Sequence, residues 1–508
     1  MAKVWIAALA LVGAVASTAA AQDAKTVISS ASRAMGVDGL NSIHYYGVGA
    51  IGNLGQNNNA NQPWPLTAAN DYVRAIDFAQ PASRATWATY AIPVTGGAAA
   101  LAQGTPQTQQ LITPQNTAWG QQLEIWITPW GFLKGAAANS ATVRPQTVNG
   151  KRYQAVTFNA PLKSPGGQPY RVVGYINGDN MVERVQTWLE HPIFGDMLVE
   201  ADYLNYRDNY GLKYPARIIQ KRAGWPTFEA FILGAHANPA NLQALMTPPA
   251  AGGRGGGGAA AGAPAAAGQA GAPAAPAAYS EQLAPGVFRI GQKPAAGTYS
   301  ALAIEFADHI LLYEPGPQSL ARAEAIIAEA RRAIPNKPIR YGVISHHHAD
   351  HTGGIAAVAA EGITIVTPEV NRAYLVNALS APRTLAPDAL AKSKRKPLVE
   401  GFKGDRRVFQ DATRTFEVHV VQGLPHADGN VIGYLPKERI LIYADMFNLP
   451  PADTPVPNPP VVGSGVFADN IERLKLNVDR IISVHALDQQ NDGRMTSVKE
   501  IRASLGRK

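Results

Sequence analysis

The chain of 508 residues contains no cysteine. Disulfides and thiolate metal ligands are therefore excluded, and any metal site must be built from histidine and carboxylate side chains. Charged residues are also few, at 16% of the chain, and the net charge of +8 is spread over both halves rather than gathered in one basic region. This distribution argues against a dedicated nucleic-acid-binding protein.

Long hydrophobic runs are missing as well. The apolar run at residues 4–15 is shorter than the roughly 20 residues that a membrane-spanning helix needs. It follows Lys3 and precedes the small residues Ala19, Ala20 and Ala21. This order predicts a secretory signal peptide at residues 1–21, cleaved near Ala21, and hence a periplasmic or secreted protein without a transmembrane segment.

One stretch lacks side chains that could form a core. Residues 248–278 contain only Ala, Gly, Pro, Arg and Gln. Such a composition predicts a disordered linker, because little apolar surface is available to offset the entropy of ordering. Since 508 residues exceed one ordinary core, we expect two domains, at residues 22–247 and 280–508.

The N-terminal domain is predicted to be mainly β. A helix is expected at residues 24–35, followed by alternating segments separated by tight turns such as Asn149-Gly150. Successive strands with short turns favour an antiparallel sheet. The tryptophans of the mature chain all lie in this half, and we expect most of them to belong to its core.

The C-terminal domain is predicted to be α/β, because strand-like and helix-like segments alternate through it. A buried strand at residues 339–345 runs directly into the sequence His346-His347-His348-Ala349-Asp350-His351. Loops at the carboxyl ends of strands are where α/β sheets place their ligands. Imidazole and carboxylate groups suit zinc and several other divalent transition metals.

The motif His346-x-His348-x-Asp350-His351 resembles the metal signature of the metallo-β-lactamase fold superfamily. Three further ligands are expected in that family, and His426, Asp445 and His485 occupy suitable places downstream, Asp445 and His485 directly after apolar strands. The resemblance covers residues 280–508. It implies an αββα sandwich.

The resemblance also implies a ligand assignment with two Zn²⁺ ions. One ion would be held by His346, His348 and His426, the other by Asp350, His351 and His485, and Asp445 would bridge them. A bridging hydroxide would attack a small-molecule substrate. Asp350 would orient it and carry its proton, which makes Asp350 the expected catalytic residue.

The bond that is hydrolysed stays open. An ester, lactone, amide or phosphoester is expected, since true β-lactamases of the superfamily usually carry Cys or Ser at the position of Asp445. A periplasmic metallo-β-lactamase is the alternative enzyme. A third possibility is an envelope binding or assembly protein whose N-terminal sheet binds a lipid or another apolar ligand. The segment around Tyr203 and Tyr214 loosely resembles the curved half-barrels of periplasmic lipoprotein-carrier proteins.

Several other residues are expected to act near the metals without binding them. Glu314 follows a strand where the family usually has an Asp that supports the metal loop. Thr352 is expected to form a hydrogen bond with a metal-binding residue or to cap the helix that follows it. His347 is expected to be solvated or to support a ligand. The proline-rich residues 448–464 directly follow Asp445 and are a candidate wall of the substrate pocket.

Overall fold

The computed structural model describes residues 24–90, 108–248, 278–292, 298–447, 455–456, 458, 460–486 and 495–507. The predicted signal peptide at residues 1–21 lies outside the described residues. So do nearly all of the predicted linker and most of the candidate wall at 448–464. Among the described residues, no helix is long and apolar enough to cross a membrane.

The N-terminal half is built on one large antiparallel sheet, as the sequence predicts. Its eleven strands lie in the order β4-β3-β2-β1-β11-β10-β9-β8-β7-β6-β5, so that the first strand pairs with the last. The strands are β1 (Ser42–Gly52), β2 (Leu66–Asp77), β3 (Ala82–Tyr90), β4 (Thr108–Ile112), β5 (Thr142–Val148), β6 (Lys151–Lys163), β7 (Pro169–Ile176), β8 (Val182–His191), β9 (Gly195–Asn209), β10 (Leu212–Arg222) and β11 (Trp225–Ala237).

Helices pack on this sheet and complete its core. They are α1 (24–35), α2 (Trp119–Trp126), α3 (Pro129–Ala138) and the short α4 (Leu242–Met246). Trp119, Trp130 and Phe132 are buried within the same apolar cluster as the sheet residues Tyr45 and Tyr203. Trp64, Trp119 and Trp130 are buried and therefore structural, whereas Trp87, Trp126, Trp188 and Trp225 are only partly buried.

Seven elements of this half did not emerge from the sequence pattern, namely β2, β3, β4, β5, α2, α3 and α4. Strand β2 is rich in Ala, Asn and Asp, and strand β3 is rich in Ala; these residues have low strand propensity, and neighbouring strands in the sheet fix the conformation. Helices α2 and α3 contain Trp and Gly, which do not favour helix interiors. Burial against the sheet stabilises them instead.

The first sheet of the C-terminal half has seven strands in the order β12-β13-β15-β16-β17-β18-β19. The strands from β12 to β16 pair antiparallel, and those from β16 to β19 pair parallel. They are β12 (Ala278–Ala284), β13 (Val287–Gln292), β15 (Ala301–Glu305), β16 (Ile310–Tyr313), β17 (Ile339–Val343), β18 (Thr364–Pro368) and β19 (Val399–Phe402).

The second sheet of this half has five strands in the order β20-β21-β22-β23-β24. They are β20 (Arg406–Gln410), β21 (Thr415–Val420), β22 (Val431–Leu435), β23 (Ile440–Tyr443) and β24 (Arg480–Ser483). A further pair consists of β14 (Thr298–Tyr299) and β25 (His485–Ala486). The helices are α5 (Leu320–Ala333), α6 (Ala349–Thr352), α7 (Ile355–Ala360), α8 (Glu369–Ser380), α9 (Ala389–Ser393), α10 (Val462–Arg473) and α11 (Val498–Ser504).

These elements form four layers. One apolar cluster lies between the two sheets, where Val343 and Tyr313 meet Phe416 and Ile442. A second cluster packs α5, α7 and α8 on the outer face of the seven-stranded sheet, and a third packs α10 and α11 on the five-stranded sheet. The predicted αββα sandwich is confirmed.

Element boundaries differ from the prediction at a few places. The helix expected at residues 467–476 begins earlier, at Val462, because packing on the second sheet overrides the low helix propensity of Gly463 and Gly465. The helix expected at 353–360 begins at Ile355 as α7, and an additional short helix, α6, precedes it and contains the last His of the metal motif.

The two halves contact each other over a wide area. Arg383 of the C-terminal half donates to the carbonyls of Pro192 and Ile193, and Asp196 accepts from the backbone N–H groups of Thr384 and Leu385. Two residues of the connection between β1 and β2, Ala60 and Trp64, belong to the apolar cluster of the C-terminal half. The predicted linker therefore joins two bodies that are packed together.

Candidate metal centre

The histidine run lies where the sequence predicts it, in the loop after β17. His346, His347, His348 and His351 have no solvent-exposed surface. Ser345 contacts two histidines of the loop: its hydroxyl lies 3.0 Å from Nδ1 of His346 and 3.3 Å from Nδ1 of His351. Burial and these contacts leave the imidazoles with fixed orientations.

Strands of the second sheet deliver the other three predicted ligands to the same place. Strands β21, β23 and β24 run in one direction, because β22 is antiparallel to both β21 and β23, and β24 is parallel to β23. Their carboxyl ends therefore meet at one edge of the sheet. His426 lies in the loop after β21, Asp445 follows β23, and His485 follows β24.

The donor atoms form two groups that could each hold a metal ion. His346, His348 and His426 form the first group, and Asp350, His351, Asp445 and His485 form the second. Within the first group, Nε2 of His346 and Nε2 of His426 are 3.2 Å apart. Within the second, Nε2 of His351 and Nε2 of His485 are 3.1 Å apart.

Asp445 lies between the two groups. Its Oδ2 is 2.8 Å from Nε2 of His351, and it is also 3.7 Å from Nε2 of His346 and 3.9 Å from Nε2 of His426. Its Oδ1 is 2.9 Å from Nε2 of His485. Asp445 adopts a left-handed backbone with φ of 59°, which is unusual for this residue type and turns the carboxylate inward after β23.

The electrostatics of the centre are those of a cation site. Burial and the neighbouring His351 lower the pKa of His346 well below its ordinary value. Burial opposes ionisation of Asp350 and Asp445, but the charge on His351 prevails and holds the pKa of both carboxyls well below the usual range. Conversely, the surrounding carboxylates overcome burial and raise the pKa of His351 well above its ordinary value.

The donor set fits divalent metal ions. Ring nitrogens about 3 Å apart face each other in both groups, an arrangement that a cation between them would stabilise. The buried atom His348 Nδ1 has no hydrogen-bond partner among the described residues. His348 directs its other nitrogen, Nε2, to a backbone carbonyl 2.9 Å away, as metal-binding histidines usually do.

Glu314 and Thr352 contact the metal loop as supporting residues. The buried Glu314 carboxylate lies 3.2 Å from Nδ1 of His351 and accepts from the backbone N–H of Ser345. The Thr352 hydroxyl donates to the carbonyl of His348 at 2.9 Å. Both side chains therefore support the loop, Glu314 through Nδ1 of His351 and Thr352 through the backbone of His348.

His347 is not solvated, contrary to one of the two expectations for it. Its ring is fully buried, and Nε2 lies 2.9 Å from the carbonyl oxygen of Asn57. Burial, opposed by this hydrogen bond, lowers its pKa to about 4. The sequence could not show this, because the covering residue belongs to the other half of the chain.

Three residues at the centre were missed by the sequence analysis. The Tyr299 hydroxyl donates to Oδ2 of Asp350 at 2.9 Å, and its ring lies against that of His485. Gln56 donates to Oδ1 of Asp350 at 2.8 Å, and the Asn57 carbonyl meets His347 and His348. The connection at 53–65 is longer than the about two to five residues that antiparallel neighbours need, but no such signal was visible in the sequence because β2 was not predicted.

Comparison with known families decides the nature of the C-terminal half. Residues 296–485 match the family model described as the metallo-beta-lactamase superfamily. This half is a metallo-beta-lactamase superfamily domain. The matched range includes all seven residues of the two donor groups.

Solved metallo-beta-lactamases resemble a little under half of the chain. One is from Pontibacter korlensis, at 18% identity over 45% of this chain and 97% of that one, with a TM-score of 0.33. FIM-1 from Pseudomonas aeruginosa in its mono-zinc form has 15% identity over 46% and 96%, with a TM-score of 0.34. DIM-1 has 16% identity over 46% and 97%, with a TM-score of 0.34. No curated protein matches the chain.

The metallo-beta-lactamase superfamily domain thus carries a His/Asp cluster compatible with a metal-dependent hydrolase. The N-terminal half lies outside the matched residues. The resemblance of its sheet to lipoprotein-carrier half-barrels stays a prediction.

Proposed function

We propose that the protein is an exported hydrolase that uses two divalent metal ions, zinc in the first place, to cleave an ester, lactone, amide or phosphoester in a small molecule. The observation that carries the proposal is the position of Asp445. One carboxylate oxygen lies within 4 Å of donor nitrogens from both groups.

Each donor group has a composition suited to zinc. The first supplies three imidazoles, and the second supplies two imidazoles and carboxylate oxygens. Other divalent transition metals accept the same donors. When bound, the two ions would lower the pKa of a shared water towards neutrality and would polarise the carbonyl or phosphoryl group of the substrate.

Asp350 is the residue to which we assign proton transfer. Its side chain is 32% exposed, against 17% for Asp445, so it is the carboxylate of the centre that is most accessible to water and substrate. Hydrogen bonds from Tyr299 and Gln56 fix both of its oxygens. In this role Asp350 orients the attacking water and passes the proton to the leaving group.

Export is proposed from residues 1–21 alone. Edman sequencing of the protein recovered from the periplasm or the medium should begin at Gln22. A product that retains Lys3 and stays in the cytoplasm would contradict export but not the proposed hydrolytic activity.

The hydrolase is tested with a substrate screen on the mature full-length chain. The panel should contain aryl esters, lactones, phosphodiesters, sulfate esters and the β-lactam nitrocefin, each with and without a chelator. We expect hydrolysis of at least one class, loss of activity with the chelator and recovery with Zn²⁺. Preferential hydrolysis of nitrocefin would select the β-lactamase alternative, whereas chelator-insensitive turnover would contradict metal dependence.

A further inference from the structure

The connection between β1 and β2 leaves its own sheet and covers the metal centre. We call residues 53–64 the covering loop. Its ends are joined by a hydrogen bond from the Asn53 N–H to the Pro65 carbonyl, 2.9 Å long, so the loop projects as a closed unit. Such compact surface loops are frequently functional.

The covering loop bonds to both loops that carry the donor residues. The Gly55 carbonyl accepts from the N–H of Ala349 at 2.9 Å, inside the histidine motif. On the other side, the Asn58 carbonyl accepts from the N–H of Asp428 at 2.7 Å, and the Asn58 amide donates to the carbonyl of Pro425. These last contacts flank His426.

Two residues of the covering loop reach the donor side chains. The Asn57 carbonyl lies 2.9 Å from Nε2 of His348, which places the proton on Nε2 and leaves the lone pair on Nδ1. The Gln56 amide donates to Oδ1 of Asp350 at 2.8 Å. Asp350 is therefore held by one hydrogen bond from each half of the chain, since Tyr299 holds its other oxygen.

We propose that the covering loop is part of the active site, with Gln56 positioning Asp350 and Asn57 fixing the tautomer of His348. This inference rests on the proposed function and deepens it. It gives the N-terminal half a task in hydrolysis, namely to orient donor groups that the C-terminal half supplies. Mutation of a residue that hydrogen-bonds to a metal ligand typically lowers metal affinity or activity by about 10- to 100-fold.

The chain offers a matched control for displacing the loop. Gly55 has φ of +76°, and a Cβ there would lie 2.6 Å from the Cβ of Ala349, so Gly55→Ala forces the loop away from the metal motif. Gly39 has nearly the same φ, +74°, with nothing within 4 Å of such a Cβ. Gly39→Ala therefore imposes similar backbone strain without touching the contact.

A second pair of variants tests Gln56 without displacing the loop. Gln56→Met keeps the length of the side chain but removes the donor to Asp350. Gln62 lies in the same loop with an exposed side chain, so Gln62→Met is its control. This pair remains informative if Gly55→Ala proves too unstable to purify.

The experiment measures zinc affinity by competition with a chromophoric chelator, together with kcat and KM on the best substrate, in the full-length chain. We expect Gly55→Ala to weaken zinc binding by about 10- to 100-fold and Gln56→Met to lower kcat by a similar factor with KM nearly unchanged. Gly39→Ala and Gln62→Met should stay within about twofold of wild type. A wild-type zinc affinity in Gly55→Ala together with a wild-type kcat in Gln56→Met would overturn this inference but not the proposed function. A wild-type chain that binds no zinc would overturn the proposed function as well.

Discussion

The carboxylate of Glu314 lies 3.2 Å from Nδ1 of His351, and neither side chain has any exposed surface. The opposite nitrogen of the ring, Nε2, faces Asp445 at 2.8 Å. Glu314 reaches this position because its backbone is left-handed, with φ of 62°, directly after β16. A strained residue thus orients a donor histidine, as strained residues at functional sites often do.

We expect Glu314→Gln to weaken metal binding at the second donor group by about 10- to 100-fold, because the amide cannot stabilise the charge that His351 shares with a bound ion. Zinc titration monitored by calorimetry would check this. The control is the His419–Glu417 pair of β21, which lies outside both donor groups. Glu417→Gln should leave the zinc titration unchanged. Equal curves for Glu314→Gln and wild type would contradict the supporting role.

Asp445→Asn should lower kcat by at least about a hundredfold with the fold intact, because the amide retains the size of the side chain but not the charge shared by the two donor groups. Circular dichroism and turnover on the screened substrate would be measured together. Asp469→Asn is a matched control, since Asp469 is exposed and its ion pair with Arg507 lies on the surface. Unchanged turnover in Asp445→Asn would refute the bridging role.

Tyr299→Phe should lower kcat by about tenfold or more, because a hydrogen bond to the ionised Asp350 is lost while the ring contact with His485 is kept. Steady-state kinetics would show the effect in kcat rather than in KM. Tyr210→Phe, at a fully exposed position, is the control. A kcat equal to that of wild type would mean that the Tyr299 hydroxyl does not position Asp350.

The positions of the candidate metal ligands in the fold were predictable because most of them follow a local pattern. His346 to His351 follows strand β17, and Asp445 and His485 follow apolar strands whose carboxyl ends meet. The parts contributed by other segments had no such pattern. Gln56 bonds to Asp350 across 294 residues of sequence, and amide residues in a connection carry no signal of their partner.

Removal of a buried charge should destabilise the fold. Arg383 pairs with Asp388 at 2.7 Å with side chains that are 4% and 6% exposed, and it also donates to carbonyls of the N-terminal half. Arg383→Ala should lower the free energy of unfolding by about 3–5 kcal/mol, because the charge of Asp388 is left unpaired. The exposed Arg507→Ala should cost less than about 1 kcal/mol in the same urea titration. Equal losses would contradict a stabilising role of the buried ion pair.

Stability should fall in acid through His191, which accepts from the N–H groups of Ile193 and Phe194. Burial, with Arg222 and Arg383 nearby, lowers the pKa of His191 to about 3, from an ordinary value of 6.5. As the pH falls, the unfolded chain therefore binds a proton at His191 before the folded chain does. The contribution of neutral His191 to the free energy of unfolding is complete above pH 6.5 and is lost as the pH falls towards 3.

Thermal melts between pH 7 and pH 4 would test this. His191→Gln should lose less stability over that range than wild type, whereas His236→Gln, at an exposed position, should follow wild type. Parallel curves for His191→Gln and wild type would show that His191 does not contribute.

The central claim is that two donor groups of one chain each bind a metal ion and share Asp445. Its most direct test is the metal content of the full-length protein after loading with zinc and desalting, measured by inductively coupled plasma mass spectrometry. We expect two zinc ions per chain in wild type and one in each of His348→Ala and His485→Ala, since these residues belong to different groups. Fewer than one ion per wild-type chain would contradict the account.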